Sequence, residues 1–178
     1  IWVTNKTGTT SNTRNIVALT DLGENNGVSR PDLWGPGSGA VPSNQANGEY
    51  QTIAQGHPEA RDIDQASSAL EGMGLVGGTD FEKLSSARLL SSTEYTVNTS
   101  LGYVSLRAGL QADQVLAVAY EYTYGGVTYQ VGEFSSDRTN VSEALFVKAL
   151  KNTSNNPAQG NWRLMMKNVY YLASTVQK

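Results

Sequence analysis

The segment EYTVNTSLGYVSLRAGLQADQVLAVAYEYTYGGVTYQVGEF, residues 94–134, predicts a run of β-strands and decides how the rest of the chain is interpreted. Its predicted strands are 95–98, 103–106, 115–124 and 127–134. The last two flank Gly125-Gly126, a pair that permits positive φ at both central positions, as a type I′ hairpin turn requires. The Val, Tyr and Thr residues beside this turn are typical of strands.

The two-residue turn fixes the register of this hairpin, and therefore the face on which each side chain lies. One predicted face is apolar and aromatic, with the pairs Tyr124–Val127, Tyr122–Tyr129, Tyr120–Val131 and Val118–Glu133. The other is polar or small, with the pairs Thr123–Thr128, Glu121–Gln130, Ala119–Gly132 and Ala117–Phe134. A sheet with one apolar face is usually buried on that side, so Tyr120, Tyr122 and Tyr129 are predicted to lie in the core. The alternative is a stacking platform for a sugar or a peptide.

Composition limits the class of protein. The chain has 178 residues, enough for one domain with a substantial core. It lacks cysteine, which excludes disulfides and thiolate chemistry, and its net charge of −3 without a basic patch argues against nucleic-acid binding. Because it begins inside a predicted strand without an initiator methionine, we expect a soluble domain, 1–178, cut from a longer protein.

The first 62 residues predict two strands and a loop. Strands are expected at 1–4 and 13–22, and the second is apolar on both faces in its middle, which favours a central position. Residues 23–62 are rich in glycine, proline and asparagine and show no period, so a long irregular loop is expected there. Trp34 and Tyr50 are expected to pin this loop to the sheet, and the loop itself is expected to contact partners.

Helix is expected to be scarce. A short helix is predicted at 62–73, capped by Asp62 or Asp64. Thr79 and Glu82 have the spacing of a capping box, which predicts one helical turn at 79–85.

The C-terminal segments 144–151 and 162–172 fit both a helical and a strand period, and strands are favoured. The predicted fold is mostly β, an antiparallel β-sandwich of jelly-roll type with one or two short helices. The alternative is an α+β domain in which these two segments are helices over the sheet.

Candidate chemistry is sparse, and we expect no enzyme. His57 is the single histidine and precedes a proline in the long loop, as expected for a surface residue. Glu121 and Glu133 could form a carboxylate pair, but the register places them on opposite faces. Asp62 and Asp64 are explained by helix capping. No catalytic or cofactor-binding residue is therefore assigned.

A metal site is considered and not assigned. Asp21, Glu24, Asn25 and Asn26 follow a strand and offer oxygen ligands of the kind calcium prefers, without the spacing of an EF-hand. A simple polar turn explains them equally, and no nucleotide-binding motif is present.

Five blocks of sequence, in this order, resemble the SprA/Sov family of Bacteroidetes. They are IWVTN (1–5), NTRNIVA (12–18), DLGE (21–24), LAVAYEYTY (116–124) with YQVGEF (129–134), and LMMKNVY (164–170). Two positions depart from the family pattern: Arg163 replaces an acidic residue, and Gly125-Gly126 replaces Asn-Gly.

The resemblance implies a soluble part of a very large outer-membrane β-barrel, the translocon of the type IX secretion system. Such proteins support protein secretion and gliding motility. The resemblance implies no catalytic residues and no cofactor. The implied partners are secreted cargo, other translocon subunits and the rest of the chain's own barrel, at the outer membrane or cell surface, with no small-molecule substrate.

A second hypothesis is a carbohydrate-binding or adhesin module at the cell surface. Trp34, Trp162 and the tyrosines support it, because sugars stack on exposed aromatic rings. It requires a row of two or three such rings on the surface.

Overall fold

The computed structural model describes residues 1–35 and 41–170. These residues contain nine short strands and three helices. The strands are Trp2–Val3 (β1), Thr13–Leu19 (β2), Phe81–Leu89 (β3), Tyr95–Asn98 (β4), Tyr103–Leu106 (β5), Leu116–Val118 (β6), Tyr120–Tyr124 (β7), Val127–Val131 (β8) and Leu145–Lys151 (β9). The helices are Glu49–Gly56 (α1), Ala66–Gly72 (α2) and Trp162–Met165 (α3), with 3₁₀ turns at Pro58–Arg61 and Ser135–Asp137. The fold is mostly β, as predicted. Within these ranges no helix is both long and apolar enough to cross a membrane.

Five strands close into a barrel in the order β1–β3–β2–β9–β6. β1 completes the ring, because Trp2 lies opposite Leu89 of β3 on one side and opposite Ala117 of β6 on the other. β2 and β9 are parallel, with Ile16 opposite Leu145, and the other neighbours are antiparallel. The predicted β-sandwich is therefore wrong: the main sheet closes on itself, and the other two sheets are two-stranded hairpins, β4–β5 and β7–β8.

Side chains alternate between the two faces of β2, so this strand contributes to two separate cores. Ile16 and Ala18 point into the barrel with Leu145 and Ala117, where all four side chains are buried. Val17 and the residues in step with it point outward, against the helices. β2 lies between β3 and β9, which confirms its predicted central position.

The predicted irregular loop, 23–62, contains regular structure. Glu49–Gly56 is a helix whose Ile53 is fully buried against the outer face of the barrel. Trp34 is buried in the same cluster and Tyr50 packs at its edge, which confirms that these two side chains hold the segment to the sheet. The sequence lacked a visible period because α1 buries little more than one side chain per turn.

A helix within the predicted range 62–73 is confirmed as α2, but it begins at Ala66 after Gln65, so the predicted capping by Asp62 or Asp64 is wrong. The helical turn predicted at 79–85 is also wrong. Phe81–Leu89 is the longest strand, and its alternation is interrupted at Ser86, where φ is +51°. Asn15 accepts the backbone N–H of Ser86 at 3.0 Å, at the point where the register with β2 shifts. Because of this bulge, the sequence does not show the period of two that is typical of a strand.

Both hairpins of the central segment are confirmed, although the strand predicted at 127–134 ends at Val131 and Val118 lies opposite Lys148 of β9 instead of Glu133. Tyr95 pairs with Leu106, and Tyr120, Tyr122 and Tyr124 take the partners expected from the Gly125-Gly126 turn. The strand predicted at 115–124 is nevertheless interrupted at Ala119: β6 belongs to the barrel and β7 to a separate two-stranded sheet.

Gly132 approaches the chain closely at the interruption. Gly132, at φ +75°, sits so close that an added Cβ would lie 3.1 Å from Ala119 Cβ. Because β7 leaves the barrel there, the prediction that its tyrosines form core is wrong.

The two C-terminal segments differ from each other. Leu145–Lys151 is a strand, as favoured, while Trp162–Met165 is a helix rather than the favoured strand. Leu164 and Met165 are both buried, although neighbours in a strand would point to opposite faces. Residues 171 and 172 of the predicted segment lie outside the described residues.

Candidate protein-contact surface

The β7–β8 hairpin projects from the barrel and carries a row of stacked tyrosines. The ring centroids of Tyr122 and Tyr129 are 5.5 Å apart, with 27° between the ring planes. Tyr120 adds a third ring, 6.1 Å from Tyr122. Near the turn, Tyr124 and Val127 are 64% and 51% exposed. We call this surface the tyrosine face and define it as Tyr120, Tyr122, Tyr124, Val127 and Tyr129. A contiguous aromatic surface of this kind is typical of interaction sites.

The segment 42–44 is hydrogen-bonded to the β8 side of the hairpin. Asn44 donates its backbone N–H to the carbonyl of Gln130 at 2.8 Å, and its side-chain oxygen accepts the N–H of Gly132 at 2.7 Å. The hydroxyl of Tyr122 donates to the carbonyl of Pro42 at 2.7 Å. The hairpin therefore has a fixed orientation although it lies outside the barrel.

A buried carboxylate fixes the base of the hairpin. Glu133 is 2% exposed and accepts hydrogen bonds from both terminal nitrogens of Arg61, at 2.9 and 2.7 Å. The hydroxyl of Tyr50 and the backbone N–H of Phe146 also donate to it, at 2.7 and 2.9 Å. Burial opposes ionisation of Glu133, but the hydrogen bonds from Arg61, Phe146 and Tyr50 outweigh it and lower the pKa.

Arg61 joins three parts of the fold at this point. Its guanidinium lies over the ring of Phe146 in β9, 4.1 Å from the centroid. Tyr50 of α1 meets the same ring edge-on, at 6.5 Å. Arg61 therefore connects the base of the hairpin, the helical layer and the wall of the barrel.

Asp21 fixes the first part of the segment predicted as a loop. It is 1% exposed, and its carboxylate accepts the backbone N–H groups of Val28, Ser29 and Arg30 at 2.6, 2.9 and 2.8 Å. Its carbonyl accepts from the side chain of Asn47 at 2.7 Å. Both halves of the segment are thus tied to the end of β2, which leaves fewer of its residues available to a partner than predicted.

The candidate calcium ligands are not brought together. Glu24 lies between two lysines, 2.9 Å from Lys148 Nζ and 2.7 Å from Lys167 Nζ. Burial opposes ionisation of Glu24, but the lysines outweigh it and lower its pKa. Asn25 and Asn26 are exposed. Among residues 1–35 and 41–170, no group of three or more His, Cys, Asp or Glu side chains is placed to hold a metal ion.

Sequence reasoning missed a second buried acid beside this network. Glu49 is 1% exposed, and its Oε2 accepts no hydrogen bond from any described residue. Burial raises the pKa of its carboxyl well above the ordinary value, and the negative charge of Asp21 adds to the effect. One signal was available: Lys148 stands inside the apolar run ALFVKALK, and a lysine buried there requires acidic neighbours.

The candidate catalytic residues have local structural contacts. His57 ends α1, and its Nδ1 lies 3.0 Å from Glu59. Asp62 accepts the backbone N–H of Asp64 at 3.0 Å in the turn before α2. Glu121 is exposed on β7, whereas Glu133 is buried at the hairpin base.

The two tryptophans proposed for sugar binding have different settings. Trp34 is 7% exposed, so its ring is not available for stacking. Trp162 is half-buried and lines a shallow depression of about 310 Å³ together with Pro31, Pro157 and Arg163. The tyrosine face is therefore the larger aromatic surface.

Comparison with models of known protein families and with curated proteins finds no match to this chain.

Proposed function

We propose that this chain is a non-enzymatic domain of a type IX secretion translocon at the outer membrane, which binds protein partners through its tyrosine face. The observation that carries the binding role is the row of tyrosines on a hairpin fixed at its base and on one side, in which Tyr120 and Tyr124 are exposed and Tyr122 and Tyr129 are half-buried. Tyrosine and tryptophan dominate the energetics of protein interfaces, because they bury a large area at low conformational cost. The proposed partners are secreted cargo or other translocon subunits.

The position of the resembling blocks supports the assignment to this translocon. IWVTN and NTRNIVA supply β1 and β2 of the barrel, and DLGE supplies both Asp21 and Glu24. The block LMMKNVY supplies Lys167, the surface partner of Glu24. The blocks at 116–134 supply the hairpin and its buried Glu133.

The test substitutes Tyr120 and Tyr124 together by serine in the full-length protein. Loss of two central aromatic contacts is expected to lower recovery of the partner complex at least tenfold and to reduce secretion of cargo, with normal levels of the protein. The matched control is Tyr103→Ser with Val97→Ser on the β4–β5 hairpin, whose side chains are 49% and 55% exposed. Equal recovery from both variants would show that the tyrosine face is not the contact.

A carbohydrate-binding module is the second candidate, and the stacked rings of Tyr120, Tyr122 and Tyr129 favour it. A glycan array distinguishes the two. Binding to one class of glycan, lost in the Tyr120→Ser/Tyr124→Ser variant and kept in the β4–β5 control, would favour the sugar-binding role.

A further inference from the structure

Glu49 begins α1 with its carboxyl in the interior of the fold. The residue is 1% exposed, and its Oε2 has no hydrogen-bond donor. None of the ion pairs formed within residues 1–35 and 41–170 includes Glu49. A carboxylate that is buried without a donor or a cation is strongly disfavoured relative to the protonated acid. The surroundings of Glu49 therefore fit the neutral carboxyl and not the carboxylate.

The charged groups that face Glu49 from the neighbouring elements do not compensate a negative charge there. Three are acids and one is a lysine: Asp21 and Glu24 after β2, Asp80 before β3, and Lys148 on β9. Lys148 already donates to the carbonyl of Thr20 and pairs with Glu24 at 2.9 Å. Negative charge therefore predominates around Glu49, and it acts in the same direction as burial.

The first turn of α1 depends on this carboxyl for its attachment to the barrel. Of the eight residues of α1, only Glu49 and Ile53 are buried, and Gly48 has no side chain to cap the helix. A helix of about two turns is stable only where it packs against the rest of the fold. An ionised Glu49 can reach water only if this turn moves away from β9 and from the end of β2.

Tyr50 connects the same turn to the base of the β7–β8 hairpin. It follows Glu49 directly, and its hydroxyl donates to the buried carboxylate of Glu133 at 2.7 Å. Its ring also meets Phe146 of β9 edge-on, with 6.5 Å between the ring centroids. Movement of the first turn of α1 would therefore break a hydrogen bond to Glu133 and a contact with the wall of the barrel.

We propose that α1 is a proton-dependent switch: the protonated carboxyl of Glu49 keeps the first turn of α1 against the barrel, and loss of that proton releases the turn together with Tyr50. The switch is a property of the fold, and it does not depend on which partner binds the tyrosine face.

The direction of the pH dependence follows from the burial of Glu49. Burial, and then the negative charge of Asp21, raise the pKa of this carboxyl well above its ordinary value of 4.5. Its stabilising effect is fully present below pH 4.5, where the folded and the unfolded chain both hold the proton. The effect is lost as the pH rises through the folded-state pKa. The switch therefore opens in the alkaline direction, whereas Glu133 loses its ion pair in acid.

Glu49→Gln is the test variant, because glutamine has the shape of the protonated acid and cannot ionise. The matched control is Glu71→Gln, at the exposed end of α2. Urea unfolding of the intact 178-residue chain is followed from the acidic to the alkaline side of neutrality. Relative to Glu49→Gln, the unfolding equilibrium constant of the parent is expected to rise about tenfold per pH unit above pH 4.5, and to level off at the folded-state pKa. Glu71→Gln is expected to keep the pH dependence of the parent.

Two further measurements report on the proton and on the helix. The infrared spectrum at neutral pH is expected to contain the C=O stretching band of a protonated carboxyl in the parent and in Glu71→Gln, but not in Glu49→Gln. The amide of Thr52, which donates to the carbonyl of Gly48 at 3.0 Å, reports on the first turn. At one alkaline pH, this amide is expected to exchange about tenfold faster in the parent than in Glu49→Gln, while the amides of β2 do not differ.

Three results would overturn the switch. The first is a parent that shows no protonated-carboxyl band at neutral pH, and this result decides even if Glu49→Gln does not fold. The second is a pH dependence of unfolding that Glu49→Gln leaves unchanged. The third is equal exchange of the Thr52 amide in the parent and in Glu49→Gln at alkaline pH, since α1 would then stay in place when Glu49 ionises.

Discussion

Replacement of Arg61 by methionine is expected to lower the free energy of unfolding by about 3–5 kcal/mol, the usual effect of breaking a buried ion pair. Methionine keeps much of the side-chain volume against Phe146 but removes the bidentate partner of the buried Glu133 carboxylate, which then keeps only the partly exposed Arg138, at 3.1 Å, as a cationic partner. Urea denaturation at neutral pH measures the change. The matched control is Arg88→Met at the partly exposed Arg88–Glu94 pair, where a loss below about 1 kcal/mol is expected. Equal losses at the two sites would contradict a special role for the buried pair.

The same pair gives the protein a defined acid sensitivity. The folded-state pKa of Glu133 lies below its ordinary value of 4.5, so the stabilisation is fully present above that pH. It is lost as the pH falls below 4.5 towards the lowered pKa, because the folded state must then release its ion pair. The Arg61→Met variant is therefore expected to lose less stability than the parent over this acidic interval.

Replacement of Asp21 by alanine is expected to cost about 3 kcal/mol, because three partly buried N–H donors lose a buried, charged acceptor at once. The effect should be concentrated in residues 27–35. Amide exchange measures it directly: Val28, Ser29 and Arg30 should lose protection, while the amides of β2 and β9 keep theirs.

Asp32 provides the control on the same segment. Its carboxylate pairs with Arg30 at 2.7 Å but is largely exposed, so Asp32→Ala is expected to leave the stability nearly unchanged. If Asp32→Ala released the segment as fully as Asp21→Ala, the buried carboxylate would not be what holds it.

The sequence predicted those parts of the fold that depend on local chemistry. Gly125-Gly126 fixed the turn and hence the register of β7 with β8, and the apolar middle of β2 indicated a central strand. The closure of the sheet was not predictable in the same way. It depends on Trp2 and Val3 pairing with both β3 and β6, and a strand of two residues has no pattern that names its partners.

The candidate surface was only half predicted. The tyrosine face was identified from the register, but a pattern of alternating residues does not say what covers the apolar face. The answer depends on the interruption at Ala119, after which β7 belongs to a separate sheet and no longer to the barrel. The buried anchors Arg61 and Glu49 were missed because each stands in a segment without a clear period.

The closed ring also has a consequence for how quickly the chain can fold. β1 pairs with β6, which follows it by more than a hundred residues in the sequence. Ile16 of β2 likewise pairs with the distant Leu145 of β9. Chains whose contacts join such distant segments fold slowly. The chain loses entropy when it closes the long loops, and the strand pairing that compensates for this loss forms only afterwards. The barrel therefore cannot close until β9 is available, and until then β2 and β6 each expose an unpaired edge to other chains.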